Sequence, residues 1–197
     1  MKRKNVALLT AGVVLALAGT AQAESTFVNG TGTLTTTARV DFQVTIPKFL
    51  SLRVGSASTT IDLVDFSVTA TDVGSGTDVA GTGGDLGAGT VTARVTGNNG
   101  DVTLNATTLG ALVNAAGDTI PWTQIGTTSS AAGLPAPTLA NGTSGDVTVP
   151  GNLAGGRVVN QAAVWTYTYL NDGIVPAGTY GGVNAQNGRV TYTATML

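Results

Sequence analysis

The chain has 197 residues, with nine Lys and Arg against eleven Asp and Glu, no His and no Cys. Without His or Cys, and with Glu24 as its single glutamate, it lacks the usual general bases, thiol nucleophiles and metal ligands, so an enzyme is the poorest reading and no cofactor is expected. The acidic balance holds no basic run, which argues against a nucleic-acid or anionic-membrane partner.

Residues 1–23 read as a secretory signal peptide: Lys2, Arg3 and Lys4 form a basic head, an apolar run follows, and Ala21-Gln22-Ala23 is a small-x-small cleavage site. Its removal takes three basic residues, leaving six basic against eleven acidic, a net charge of −5. No later stretch is long and apolar enough to suggest a membrane span. An exported chain without cysteine gains nothing from disulfides and relies on packing and hydrogen bonds.

The next stretch shows an unbroken period of two. From Val28 to Ile46 the even positions (Val28, Gly30, Gly32, Leu34 and on through Val40, Phe42, Val44 and Ile46) are mostly apolar or small. The odd positions are all polar, which is the pattern of a strand with one buried face. At ~3.3 Å per residue such a strand reaches roughly 60 Å, whereas a compact body of this mass is about 40 Å across. Residues 37–46 are therefore expected to be the first strand of a single all-β domain spanning 37–197. Residues 24–36 are left as a strand with nothing at home to pair with.

Pro47 interrupts the ladder, and Phe49 to Val54 resumes as a short strand. Residues 61–70 form a strand whose apolar phase changes between Leu63 and Val64, the mark of a bulge. Residues 71–89 are a glycine-rich loop. Its Gly74-x-Gly76-x-Asp78 is similar to a calcium-binding nonapeptide repeat, with Asp72 and Asp85 nearby, but a single imperfect copy reads as solvated loop and no metal site is expected. Residues 90–96 and 101–107 are strands joined by Gly97-Asn98-Asn99-Gly100, which reads as a hairpin turn.

Residues 109–114 are consistent with a helical turn or a strand, and 119–125, with Pro121 and Trp122, with an edge strand. Residues 126–145 form a second low-complexity loop, followed by short strand candidates at 146–149 and 157–159. Residues 162–170 are a strong strand with Trp165, Tyr167 and Tyr169 on one face. An aromatic row of this kind is more often core than a sugar-binding platform. The last strand, within 187–197, sets Val190, Tyr192, Ala194 and Met196 on one side, and one of its flanks is expected to be open.

A surplus strand at the front and an open edge at the back are complementary. The exported leader, the FVNGTGTL segment, the alternating ARVDFQVTIP, the PAGTY turn and the final GRVTYTATML together resemble donor-strand-exchanged bacterial pilins, above all the cysteine-poor archaic or self-assembling thin-fibre subunits. The resemblance implies an incomplete immunoglobulin-like β-sandwich with an N-terminal donor-strand extension. It places donor residues on Phe27, Val28, Gly30, Gly32 and Leu34. The acceptor groove falls between Val40, Phe42, Val44 and Ile46 on one side and Val190, Tyr192, Ala194 and Met196 on the other.

It further implies a head-to-tail homopolymer on the surface of a Gram-negative bacterium, reached through the periplasm and serving adhesion or biofilm formation. A periplasmic chaperone and an outer-membrane usher are the helper partners of such fibres. Two features depart from the commoner chaperone-usher pattern: there is no cysteine pair, and Met196 stands where an aromatic is usual near the C-terminus. The competing reading is a monomeric secreted β-sandwich adhesin or carbohydrate-binding module that uses the two loops or the Trp165 row.

Overall fold

A computed structural model describes residues 25–197; the expected signal peptide and Glu24 lie outside the described residues. The chain divides into two compact units between Ile46 and Pro47.

In the first unit no strand forms among residues 25–46. The hydroxyls of Thr26 and Thr36 hydrogen-bond to each other; Thr26 Oγ1 also donates to the Thr37 carbonyl at 2.8 Å, and Thr36 Oγ1 to the Thr26 carbonyl at 3.0 Å. These bonds close a loop around a bend at Thr31-Gly32. The alternating stretch is thus not one continuous extended segment, and 37–46 is not the first strand of the second unit. The physical reason is that period two selects a face without supplying a partner; a lone strand has no ladder to hold it, and Gly30 and Gly32 make bending cheap.

The second unit is all-β. Apart from two three-residue 3-10 turns, Trp122–Gln124 and Ala154–Gly156, its regular structure is the following set of strands, in order: β1 (Leu50–Val54), β2 (Val64–Asp65), β3 (Val79–Ala80), β4 (Thr82–Gly83), β5 (Thr90–Gly97), β6 (Val102–Thr107), β7 (Leu112–Val113), β8 (Thr119–Ile120), β9 (Ile125–Ser129), β10 (Val147–Val149), β11 (Val159–Tyr169) and β12 (Thr191–Met196). All pairings are antiparallel. The larger sheet has the order β1-β5-β11-β3, with β9 also on β11; the second runs β10-β6-β12; β2-β4 and β7-β8 are two-residue ribbons.

The two larger sheets share one core. β5 turns in Val91, Ala93 and Val95, β6 turns in Val102, Leu104 and Ala106, and β11 turns in Val159, Ala163, Trp165, Tyr167 and Tyr169. β-branched and aromatic residues at alternate positions suit a pleated surface with one dry face. The core is tied across its thickness by the hydroxyls of Tyr167 on β11 and Tyr192 on β12, 2.7 Å apart, with the Trp165 ring 5.3 Å from that of Tyr192.

Three sequence expectations change here. Gly97-Asn98-Asn99-Gly100 is not a hairpin: β5 and β6 belong to different sheets, and the four residues turn a corner between them. Both strands bury a complete apolar row, which they do by facing each other across the core rather than lying side by side. Residues 126–145 are a loop only in part: 125–129 form β9, and in the loop that follows Leu134, Pro137 and Leu139 are buried. Ser129 Oγ and Trp165 Nε1 both donate to the Leu134 carbonyl, at 2.7 and 3.1 Å. Within 71–89, β3 and β4 pair with β11 and β2. The segment 109–114, whose sequence suits either helix or strand, contains β7.

Candidate assembly site

β12 is an end strand of its sheet. Its inner ladder pairs with β6 from Thr191↔Thr107 to Met196↔Val102, and its other side is an edge. Such an edge presents alternate N–H and C=O groups that template further pairing unless something covers them. The side chains beneath show the same incompleteness. On β6 the inner row is fully buried, whereas Tyr192, Ala194 and Met196 on β12 and Val190 just before it are only half-buried against the core.

β1 is the end strand of the larger sheet and lies next to β12. Its Leu50, Leu52 and Val54 are likewise half-buried against the core. The two edges come closest at the corner. A Cβ on Gly97 would stand 2.9 Å from Met196 Sδ and 3.3 Å from Leu50 Cδ1, so a side chain there would crowd the corner where the two strands converge.

The asparagines of that corner hold both ends of the unit. Asn98 Nδ2 donates to the Pro47 carbonyl at 2.8 Å, while its Oδ1 accepts from the Phe49 N–H at 2.9 Å. Asn99 Nδ2 donates to the Leu197 carbonyl at 2.5 Å. The chain therefore enters the second unit beside the end of β12. The sequence pattern suggests only a hairpin turn for these residues, and no signal in it marks them as clamps.

Of the expected acceptor residues, Val190, Tyr192, Ala194 and Met196 stand together at this edge. Val40, Phe42, Val44 and Ile46 belong to the leading unit, lie in no strand and are 70, 90, 83 and 75% exposed. The expected donor residues Phe27, Val28, Gly30, Gly32 and Leu34 are also exposed, in the loop closed by Thr26 and Thr36. Rows of large apolar side chains this exposed are unusual on an isolated soluble molecule.

The remaining candidates are structural. Trp165, Tyr167 and Tyr169 are buried, so the aromatic row offers no platform to a sugar. Burial pushes the Tyr167 hydroxyl up to about 12 despite its bond to Tyr192, and burial holds Tyr192 well above the usual phenol value, helped by the neighbouring Tyr167. A hollow of 230 Å³ beside Tyr169 is floored by Gln124 and Asp172, whose polar atoms bond each other at 3.1 and 3.2 Å.

Asp85 accepts from the Thr92 N–H at 2.7 Å and stands 3.5 Å from Arg53; burial raises its pKa, but these contacts outweigh that and hold it below 3.8. No group of three His, Cys, Asp or Glu side chains among the described residues is placed to hold a metal. No helix among them is long and apolar enough to cross a membrane.

The geometry thus defines an all-β protein whose most distinctive features are a strand edge that no other described strand pairs with and an exposed apolar arm. No family model matches the chain, and neither a curated protein nor a solved structure matches it.

Proposed function

We propose that this protein is the structural subunit of an extracellular fibre, an incomplete immunoglobulin-like β-sandwich completed by the N-terminal arm of the next copy. The single observation that carries the reading is the open edge of β12 above a half-buried apolar row, in a chain whose leading 22 described residues are all exposed. Donor and acceptor are different surfaces, so the contact is heterologous, and a heterologous contact that does not close on itself propagates as a filament. Adding a strand to a sheet edge satisfies backbone groups through the ladder, while alternate side chains set the register.

The export leader and net acidity are consistent with a fibre displayed outside the cell, where adhesion or biofilm formation is the role. A chaperone and usher are candidate helpers in assembly. Burial of the Trp165 row weighs against the competing carbohydrate-binding module.

The test is electron microscopy of the secreted protein, followed by detergent gels with and without boiling. Filaments and a multimer ladder that survives unheated detergent are expected, because withdrawing a strand uncovers the acceptor core and so has a barrier near that of unfolding. Removing residues 24–46 abolishes both. A monomer band without heating, and no filaments from the complete chain, would refute the reading.

A further inference from the structure

The fibre reading leaves open which part of the arm is the donor, and the structure points away from its first half. Residues 27–34 offer two glycines and, in the even phase, only Val28 and Leu34 as large knobs. They are occupied in the loop tied by Thr26, Thr36 and Thr37. Residues 40–46 instead carry four consecutive large knobs, Val40, Phe42, Val44 and Ile46, each at least 70% exposed. The open edge also offers four inner positions, Val190, Tyr192, Ala194 and Met196.

The direction of pairing follows from size, charge and the corner. A parallel match of the four positions sets Phe42 beside Tyr192, two large rings, and Arg39 beside Arg189, two like charges. An antiparallel match sets Phe42 over Ala194, Val44 by Tyr192, Val40 by Met196 and Ile46 by Val190, and separates the arginines. Large-to-small pairing and the absence of facing like charges favour the second. Pro47 and Leu197 are held by the adjacent Asn98 and Asn99. An arm turning back onto its own β12 would start at the Met196 end and run parallel to it, so antiparallel pairing requires the arm of a different molecule.

We propose that residues 40–46 of one copy form an antiparallel strand on β12 of a second copy, with Phe42 over Ala194. This rests on the fibre reading and replaces residues 27–34 as the donor.

The chain has no cysteine, so an introduced pair reports unambiguously. Full chains carrying Ala194→Cys with Phe42→Cys, Val44→Cys or Val28→Cys are assembled, oxidised and run on non-reducing gels, and a chain lacking residues 24–36 is imaged alongside one lacking 24–46. The expected results are a disulfide-linked ladder strongest for the Phe42→Cys pair, filaments from the shorter deletion and none from the longer. A ladder carried by the Val28→Cys pair, or loss of filaments on removing 24–36 alone, overturns the assignment while leaving the fibre intact. Cross-linked monomers from the Val44→Cys pair overturn it in favour of self-pairing. No filaments from the unmodified chain overturns the fibre reading itself.

Discussion

The two hydroxyls that meet between β11 and β12 make the sheet carrying the open edge sensitive to alkali. Tyr167 has its pKa raised to about 12 by burial, and Tyr192 is raised for the same reason. A phenol whose folded pKa lies above its unfolded value of 10 contributes stability that is fully present below pH 10. The unfolded chain then releases its proton first, and the contribution is lost as the pH rises through the folded value. Each pH unit between the unfolded and folded values corresponds to ~1.4 kcal/mol, so Tyr167 accounts for on the order of 3 kcal/mol between pH 10 and 12. With a urea slope of ~1–3 kcal/mol/M, that moves the unfolding midpoint down by about 1–3 M. The assay is urea unfolding followed by tryptophan fluorescence at pH 8, 10, 11 and 12. Replacing either tyrosine alone by Phe leaves the other hydroxyl buried without a partner and costs ~1–3 kcal/mol at neutral pH, while replacing both costs less than the two single changes added together. The double Phe variant should keep most of its midpoint between pH 10 and 12. An unchanged alkaline slope in that variant would refute the assignment of the sensitivity to this pair.

Four further outcomes are expected. Gly97→Val drives side-chain atoms into Met196 Sδ and Leu50 and costs ~1–3 kcal/mol by overpacking, read as a lower thermal midpoint. Asn171, buried with φ of 55°, holds the turn at 72–76 by accepting from the Gly74 N–H at 2.9 Å and donating to the Asp72 carbonyl at 2.6 Å; Asn171→Ala should open that turn to limited proteolysis and lower stability by ~1–3 kcal/mol. Asp85, whose pKa is lowered, contributes stability that is present above 3.8 and lost as pH falls through its folded value, so Asp85→Asn should flatten the acid limb of the stability profile. Leu104→Ala, at a fully buried position on β6, should cost ~2–5 kcal/mol in urea unfolding.

Strand content was legible wherever alternation coincided with a partner inside the chain. Val91-Ala93-Val95, Val102-Leu104-Ala106 and the Trp165-Tyr167-Tyr169 row were all readable as inward faces, and all are buried. The alternation of 28–46 is as regular, yet no strand forms there, because pattern is a statement about faces and a strand is a statement about neighbours. Turn chemistry misled at 97–100 for a related reason: Gly-Asn-Asn-Gly permits a reversal, but whether the flanking strands lie side by side or face to face depends on the core they enclose. The loop at 126–145 looked empty by composition. Three buried apolar residues, Leu134, Pro137 and Leu139, suffice to pin it, and their spacing matches neither the strand nor the helix period. At the β12 edge, the row at 190–196 was readable from period two, whereas the Asn98 and Asn99 clamps join residues up to 98 positions apart and left no local trace.

Those clamps would turn the choice of donor into a mechanical property of the proposed fibre. If residues 40–46 are the inserted strand, only Pro47, Lys48 and Phe49 stand between it and β1, and Asn98 fixes the backbone of two of those three. Consecutive subunits are then joined with almost no slack, and the filament is stiff. If residues 27–34 insert instead, residues 35–46 become a tether of roughly 40 Å when extended, and the subunits swing like beads. Asn98→Ala separates the cases: it should soften a filament of the first kind, shortening the persistence length measured from micrographs, and leave one of the second kind unchanged. Because the clamp's partners are backbone atoms at 47 and 49, the substitution should leave the β12 edge and the ability to polymerise in place. A softened but abundant fibre is therefore the expected result, and a fibre equally stiff with and without Asn98 would show that the joint lies elsewhere in the arm.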